Sequence, residues 1–209
     1  MVRIKICGIT NLIDALLAAD LGAHALGFIF YPKSPRSVRP EVAREIIGNL
    51  PPFVMTVGVF VDEEAETVQK IAETAGLDWV QLHGKEPPGY CCELKRRVIK
   101  GFRIKDASSL SILPEYQGSV QAFLLDTYKA GTAGGTGVTF DWELARQAGE
   151  WGPVILAGGL TPANVTRAIH AAKPAAVDVA SGVEAAPGKK DPEKLREFFR
   201  ALKGGCSVT

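Results

Sequence analysis

The chain predicts an α/β fold, a (β/α)8 barrel of the TIM class, with residues 1–209 forming a single domain. Three observations predict it. Short β-branched runs alternate with longer helical patterns, the signature of βα units on a parallel sheet. Eight such units fit into 209 residues, the short end of the barrel range. The last two strands each run into a turn of small residues, Ala157-Gly158-Gly159-Leu160 and Ser181-Gly182, where barrels of this kind hold a phosphate. An open doubly wound sheet shares the alternation and is the competing architecture.

The strands are expected at about 2–7, 24–30, 54–60, 78–82, 98–103, 121–126, 153–157 and 175–180. Helices are expected at about 11–21, 40–49, 63–75, 87–96, 107–114, 141–149, 162–171 and 191–202. Several carry start signals. Thr161-Pro162 and Asp191-Pro192 each place a capping residue before a proline at the first helical position. Asp62-Glu63-Glu64 puts acid in the first turn of the third helix. The fifth helix has the poorest propensity, because Ser108, Ser109 and Ser111 fall inside it. The longest irregular stretch, Thr127 to Thr139, has the length of a functional lid.

Bulk composition narrows the function. Net charge is +1 and the basic residues are interleaved with acids, so no electrostatic footprint of nucleic acid or an anionic membrane is present. No apolar stretch of membrane-spanning length occurs, and the charged, alternating N-terminus is unlike a signal peptide, which points to the cytoplasm. The four cysteines, Cys7, Cys91, Cys92 and Cys206, match no disulfide framework or zinc spacing; adjacent Cys91 and Cys92 read as structural. The glycine-rich run Gly131–Gly137 lacks the Gly-Lys-Ser/Thr ending of a nucleotide loop. The sequence does not set the oligomeric state; a homodimer is the working expectation.

Parity places the polar residues. In a barrel, side chains at the C-terminal strand ends face the active site. On the first strand Arg3, Lys5 and Cys7 oppose Ile4 and Ile6; on the fourth, Gln81 and His83 oppose Val80 and Leu82. Asp126 ends the sixth strand, and Asp178 shares a face of the eighth with Ala176 and Ala180. Cys7, His83, Asp126 and Asp178 therefore converge on one mouth. Taken singly, each has an ordinary structural reading, Cys7 as a small buried hydrophobe and the carboxylates as caps. Taken together, two carboxylates, a thiol and an imidazole on one face are costly to bury without use. Lys5 shares that inner face, with Asp178 as its candidate partner. Arg36, in Ser34-Pro35-Arg36, is either a solvated surface residue or a fork for a substrate carboxylate.

These residues resemble a known family, the phosphoribosylanthranilate isomerases. The match runs through Lys5-Ile6-Cys7-Gly8-Ile9-Thr10, Gly27-Phe28-Ile29-Phe30, Ser34-Pro35-Arg36, Val57-Gly58-Val59-Phe60 and Gln81-Leu82-His83-Gly84. It continues through Leu124-Leu125-Asp126-Thr127, Gly134–Gly137, Leu156–Leu160 and Asp178–Glu184. The resemblance implies conversion of N-(5-phosphoribosyl)anthranilate to 1-(2-carboxyphenylamino)-1-deoxyribulose 5-phosphate, an Amadori rearrangement in tryptophan biosynthesis. It implies no metal or redox cofactor and a small phosphosugar as the substrate. Cys7 then matches the general base and Asp126 the general acid. Arg36 matches the carboxylate ligand, His83 and Asp178 join it as substrate-binding residues, and Gly158, Gly159, Ser181 and Gly182 hold the phosphate.

Two alternatives remain. One is another phosphate-binding barrel enzyme of tryptophan or histidine biosynthesis, for which lysine with glutamate, or two aspartates, would be expected in place of Cys7 and Asp126. The other is a non-enzymatic phosphosugar-binding protein, which would need the glycine turns but not the thiol and carboxylate. The charge of Lys5 is expected to favour the Cys7 thiolate, against desolvation by the barrel wall.

Overall fold

A computed structural model describes residues 2–127 and 141–204. Eight parallel strands close into a barrel in sequence order: β1 (Arg3–Cys7), β2 (Ala25–Ile29), β3 (Met55–Phe60), β4 (Trp79–Leu82), β5 (Arg97–Ile104), β6 (Ala122–Thr127), β7 (Val154–Leu156) and β8 (Ala176–Val179). β8 pairs with β1, which excludes the open sheet. The helices are α1 (Leu12–Leu21), α2 (Pro40–Gly48), α3 (Ala65–Ala75), α4 (Pro88–Glu93), α5 (Trp142–Ala148), α6 (Val165–Ala172) and α7 (Pro192–Gly204). A short antiparallel hairpin, β9 (Glu184–Ala186) and β10 (Lys189–Lys190), lies between β8 and α7 and was not expected.

Alternation along the strands builds two cores. The inward residues Ala25, Val57, Ile99, Ala122, Leu124, Ile155 and Ala157 fill the barrel. The outward ones, with Phe28, Phe60 and Phe123 fully buried among them, pack under the helices. Each such ring contributes about 1.5–3 kcal/mol relative to an exposed one.

Local chemistry sets the helix ends. Asn11 caps α1, its Oδ1 accepting from the Asp14 N–H at 2.9 Å. Asp191 Oδ1 accepts from the Glu193 and Lys194 N–H groups at 2.9 and 3.1 Å, so Asp191-Pro192 starts α7 as expected.

Three other expectations are corrected. In place of a fifth helix over 107–114 there are two 3₁₀ turns, Ala107–Leu110 and Leu113–Tyr116. Asp106 and Ser109 bond the local backbone in a capping box, and Pro114 offers no N–H, so the α ladder never extends. α6 starts at Val165 rather than at Pro162, because Asn164 turns back, accepting from Thr161 N–H and donating to the Gly159 carbonyl. α3 starts at Ala65, with Glu66 as its first-turn acid; Asp62 sits left-handed at φ 50° and accepts from the Lys85 N–H. The lid expected over 127–139 lies, apart from Thr127, outside the described residues. Among the described residues, no helix is long and apolar enough to cross a membrane.

Candidate active site

The C-terminal ends of the strands surround a pocket of about 220 Å³ lined by Cys7, Arg36, Gln81, His83, Asp126 and Asp178, with Arg103 and residues of the turn after β2. It adjoins a narrower cleft of about 60 Å³ between the turns after β7 and β8, lined by Gly158, Gly159, Ser181 and Gly182 and sharing Asp126 and Asp178 with it. All nine residues selected from the sequence thus line two adjoining spaces. A larger cavity of about 600 Å³ lies at the opposite end, around Val2, Ile4, Ile169 and Phe199; its surface is mostly apolar, with Asp20, His24, His170 and Lys203 also lining it.

Strand register explains the convergence. Lys5 is level with Asp178 across the β1–β8 pair, and Lys5 Nζ donates to Asp178 Oδ1 at 2.9 Å and to Gln81 Oε1 at 2.9 Å. Lys5 is thus the buried partner of Asp178, as parity suggested. Burial pushes the Lys5 ammonium down, but Asp178 and Cys7 outweigh it and hold the group above its ordinary range. Cys7 shows the reverse balance. Burial pushes its thiol up; Lys5 and Lys190 oppose that, Asp178 adds to it, and the net shift is upward. Charge from Lys5 therefore does not prevail on its own, because Cys7 is 5% exposed.

Across the mouth, Asp126 Oδ2 lies 3.5 Å from His83 Nε2, and its Oδ1 accepts from the Thr127 N–H at 2.8 Å. His83 Nδ1 contacts Gln81 Nε2 at 3.2 Å. Five side chains from four strands, Asp178, Lys5, Gln81, His83 and Asp126, make one chain of polar contacts from the thiol's side of the barrel to the opposite carboxylate.

Arg36 is neither solvated nor idle. Its Nε and Nη2 bind the Glu184 carboxylate at 2.7–3.0 Å, side on. That leaves Nη1 without a partner among the described residues, so the end-on fork can take a second carboxylate. Burial pushes the Glu184 carboxyl up, but Arg36 and Lys190 outweigh it and hold it below its usual range. Lys190 Nζ donates to Glu184 Oε1 at 3.0 Å, to the Cys7 carbonyl at 2.6 Å and to the Ala180 carbonyl at 3.3 Å. The hairpin thus ties the end of β1 and the end of β8 to Arg36.

Sequence reasoning missed this pair. Glu184 closed a motif and received no role, and Lys190 in Gly188-Lys189-Lys190-Asp191 looks like a surface turn. Its one signal was a lysine just before a helix cap, too common to select. Gln81 was placed on the right face without a partner. Cys91 is buried as expected, but Cys92 is exposed, so only the first packs in the core.

The turns after β7 and β8 fit their expected form. Gly158 and Gly159 have φ of 81° and 65°, the left-handed region that favours glycine. A Cβ on Gly182 would land on the Leu160 carbonyl oxygen, so the two turns approach as closely as backbones can. Among the described residues, no group of three or more His, Cys, Asp or Glu side chains could hold a metal ion.

The family model described as N-(5'phosphoribosyl)anthranilate (PRA) isomerase matches residues 4–201. The chain belongs to this family. It is 55% identical over 203 residues to the N-(5'-phosphoribosyl)anthranilate isomerase of Geobacter metallireducens, covering 97% of this chain and 100% of that one. The fold superposes on the phosphoribosyl anthranilate isomerase of Thermotoga maritima with a TM-score of 0.92 at 46% identity, covering 98% of this chain and all of the other. A further isomerase structure of the family, solved with reduced 1-(o-carboxyphenylamino)-1-deoxyribulose 5-phosphate, gives a TM-score of 0.87 at 44% identity, with 98% and 100% covered.

Proposed function

We propose that this chain isomerises N-(5'-phosphoribosyl)anthranilate to 1-(2-carboxyphenylamino)-1-deoxyribulose 5-phosphate, with Cys7 as general base and Asp126 as general acid. The observation that carries the reading is that a thiol and a carboxylate, on strands β1 and β6, line one pocket that adjoins a cleft between two small-residue turns. A related isomerase binds the reduced form of that product.

The chemistry follows from the placement. Asp126 gives its proton to the furanose ring oxygen, and the ring opens to a protonated Schiff base. The Cys7 thiolate takes the proton from C2′, leaving an enolamine that tautomerises to the ketone. One donor and one acceptor on opposite sides of the sugar are sufficient. Backbone N–H groups at Gly158-Gly159 and Ser181-Gly182 anchor the phosphate. The open fork of Arg36 takes the anthranilate carboxylate, and His83 and Asp178 bind the sugar between these anchors. Holding both ends keeps the sugar between acid and base. The test follows the loss of phosphoribosylanthranilate fluorescence with the purified chain and no added metal. No loss under those conditions rejects the activity; loss that persists in Cys7→Ser rejects the base.

We also infer that residues 1–209 act as one barrel domain and associate as a homodimer. Phe53, in the turn before β3, is fully exposed (101%) at a left-handed φ of 70°. A ring of this size has about 150–250 Å² that a partner at this turn would bury. A Thermotoga maritima relative is described as dimeric.

A further inference from the structure

We propose that Gln81 is a positioning residue that fixes which ring nitrogen of His83 carries the proton, so that His83 presents its Nε2–H to Asp126. The inference rests on the reading of Asp126 as the acid, and it starts from what each group can donate. A lysine ammonium has no acceptor. Lys5 Nζ lies 2.9 Å from Gln81 Oε1, and both side chains are buried. The oxygen of the Gln81 amide must therefore face Lys5, and its Nε2–H₂ must face the other way. There it meets His83 Nδ1 at 3.2 Å. An amide N–H can only donate, so Nδ1 must accept and carry no proton. The ring proton is then on Nε2, 3.5 Å from Asp126 Oδ2.

The surroundings leave the ring little choice of place. A Cβ on Gly101, the neighbouring inward position of β5, would come within 2.5 Å of His83 Nδ1. The His83 N–H donates to the Phe60 carbonyl at 2.8 Å. The next residue is gripped from both sides: Gly84 N–H donates to Glu86 at 3.0 Å, and Lys100 Nζ donates to the Gly84 carbonyl at 2.7 Å. The charged groups facing His83 are Asp126 from β6, Arg103 from β5 in register with Asp126, and Lys5 through Gln81. Asp178, Cys7 and Arg36 face it across the pocket, and Asp62 and Glu86 lie behind its loop.

The consequence is directional. With the proton on Nε2, His83 turns an N–H toward Asp126 Oδ2, 3.5 Å away, and so aims the carboxyl group, while the Thr127 N–H holds its other oxygen. With the proton on Nδ1, Nε2 would turn a lone pair on Asp126, which repels the carboxylate and, in the acid form, takes up the O–H that the sugar must receive. Lys5, through Gln81, thus dictates the orientation of a carboxylate on the far side of the mouth.

Nitrogen-15 spectra of the three histidines in the unliganded protein test this directly, with His83 assigned from the signal lost in His83→Asn. In wild type, Nδ1 of His83 is expected to be the bare nitrogen. Gln81→Glu keeps the shape and still accepts from Lys5, but its second oxygen can only accept, so Nδ1 becomes protonated. If Gln81→Glu does not fold, Gln81→Met serves, since it removes the donor and Nδ1 loses its hydrogen-bonded shift. A proton on Nδ1 in wild type, or a folded variant with the wild-type His83 spectrum, overturns the proposal. The spectra need no substrate, so they fail or succeed separately from the isomerase reading; turnover surviving in Asp126→Asn rejects the acid alone.

Discussion

The wall of the barrel beside the thiol is bare at one position, and filling it should stop the reaction without unfolding the chain. Cys7 is level with Gly27 across the β1–β2 pair. A Cβ on Gly27 would lie 2.7 Å from Cys7 Sγ and 3.1 Å from both Cys7 Cα and Lys5 Cε. Ordinary carbon contacts begin at about 3.5 Å, so Gly27→Ala drives the thiol aside by about 1 Å. A misplacement of that size can cost about 10²-fold in rate. The same crowding is expected to destabilise by about 1–3 kcal/mol, or roughly 2–12 °C in Tm for a chain of this length. Gly58→Ala separates the two effects. Its Cβ would meet Leu77 Cδ1 and, at 2.8 Å, Phe60 Cε2 in the outer core, away from the pocket. Gly58→Ala should therefore lose stability but keep the turnover of its folded fraction. Steady-state fluorescence kinetics with a thermal melt on both variants decides it. Gly27→Ala with kcat within a few-fold of wild type would refute the placement of Cys7 at the chemistry.

The other expectations concern single groups. Cys7→Ser and Asp126→Asn should each lower kcat by about 10²-fold or more while product binding changes far less; product titration with turnover assays checks it. Arg36→Met should cost about 1.5–3 kcal/mol in binding of carboxylate-bearing ligands and little for an analogue without that group. Lys5→Met removes a charge that opposes the upward push of burial on Cys7, so the thiol should rise further and the acidic limb of kcat/KM move to higher pH; thiolate absorbance near 240 nm, with Cys7→Ser as blank, reads the shift. Phe53→Asp should lower the molar mass seen by sedimentation while the fold is kept, and an unchanged mass removes Phe53 from the interface.

What the sequence made legible follows from period two. Parity alone put Cys7, His83, Asp126 and Asp178 on one mouth, because each sits within a residue of a strand end and the pleat fixes its side. The eighth strand and its turn were readable because Asp178 and Ser181-Gly182 are unusual in an otherwise apolar stretch. The misses have a different character. The 3₁₀ turns at 107–116 and the late start of α6 depend on side chains bonding nearby backbone, from Asp106, Ser109 and Asn164, and hydrophobic period carries no record of that. The β9–β10 hairpin was invisible because strands of three and two residues have too little alternation to read. Arg36 was identified by its loop, but its partner Glu184 is 148 residues away, and only closure of the barrel brings them together.

Among the described residues, three buried lysines share a logic that sequence cannot display. Lys5 pairs with Asp178, Lys100 with Glu86 and Lys190 with Glu184, each at 2.9–3.1 Å with both partners almost fully buried. Such pairs add little net stability, since desolvation offsets the attraction and apolar replacements are often as stable. What each does supply is a fixed relation between a strand and a loop at the mouth. Lys5 sets Gln81 beside Asp178, Lys100 grips the turn that carries His83, and Lys190 holds the ends of β1 and β8 while Glu184 aims Arg36. Breaking one partner leaves an uncompensated buried charge, so these positions are intolerant singly, whatever their net worth as pairs. Glu184 gives the sign of that argument in solution. Its carboxyl is held below the usual range, so its contribution is present above its unfolded pKa, near 4.5, and is lost as pH falls through the lower folded value. Glu184→Gln should therefore be less stable than wild type at neutral pH, and the gap should narrow on acidification below about pH 4.5, as the wild-type carboxyl takes up its proton. A gap that stays constant in urea titrations from pH 7 to pH 3 would mean that the pair does not bind in the charged form on which the aim of Arg36 depends.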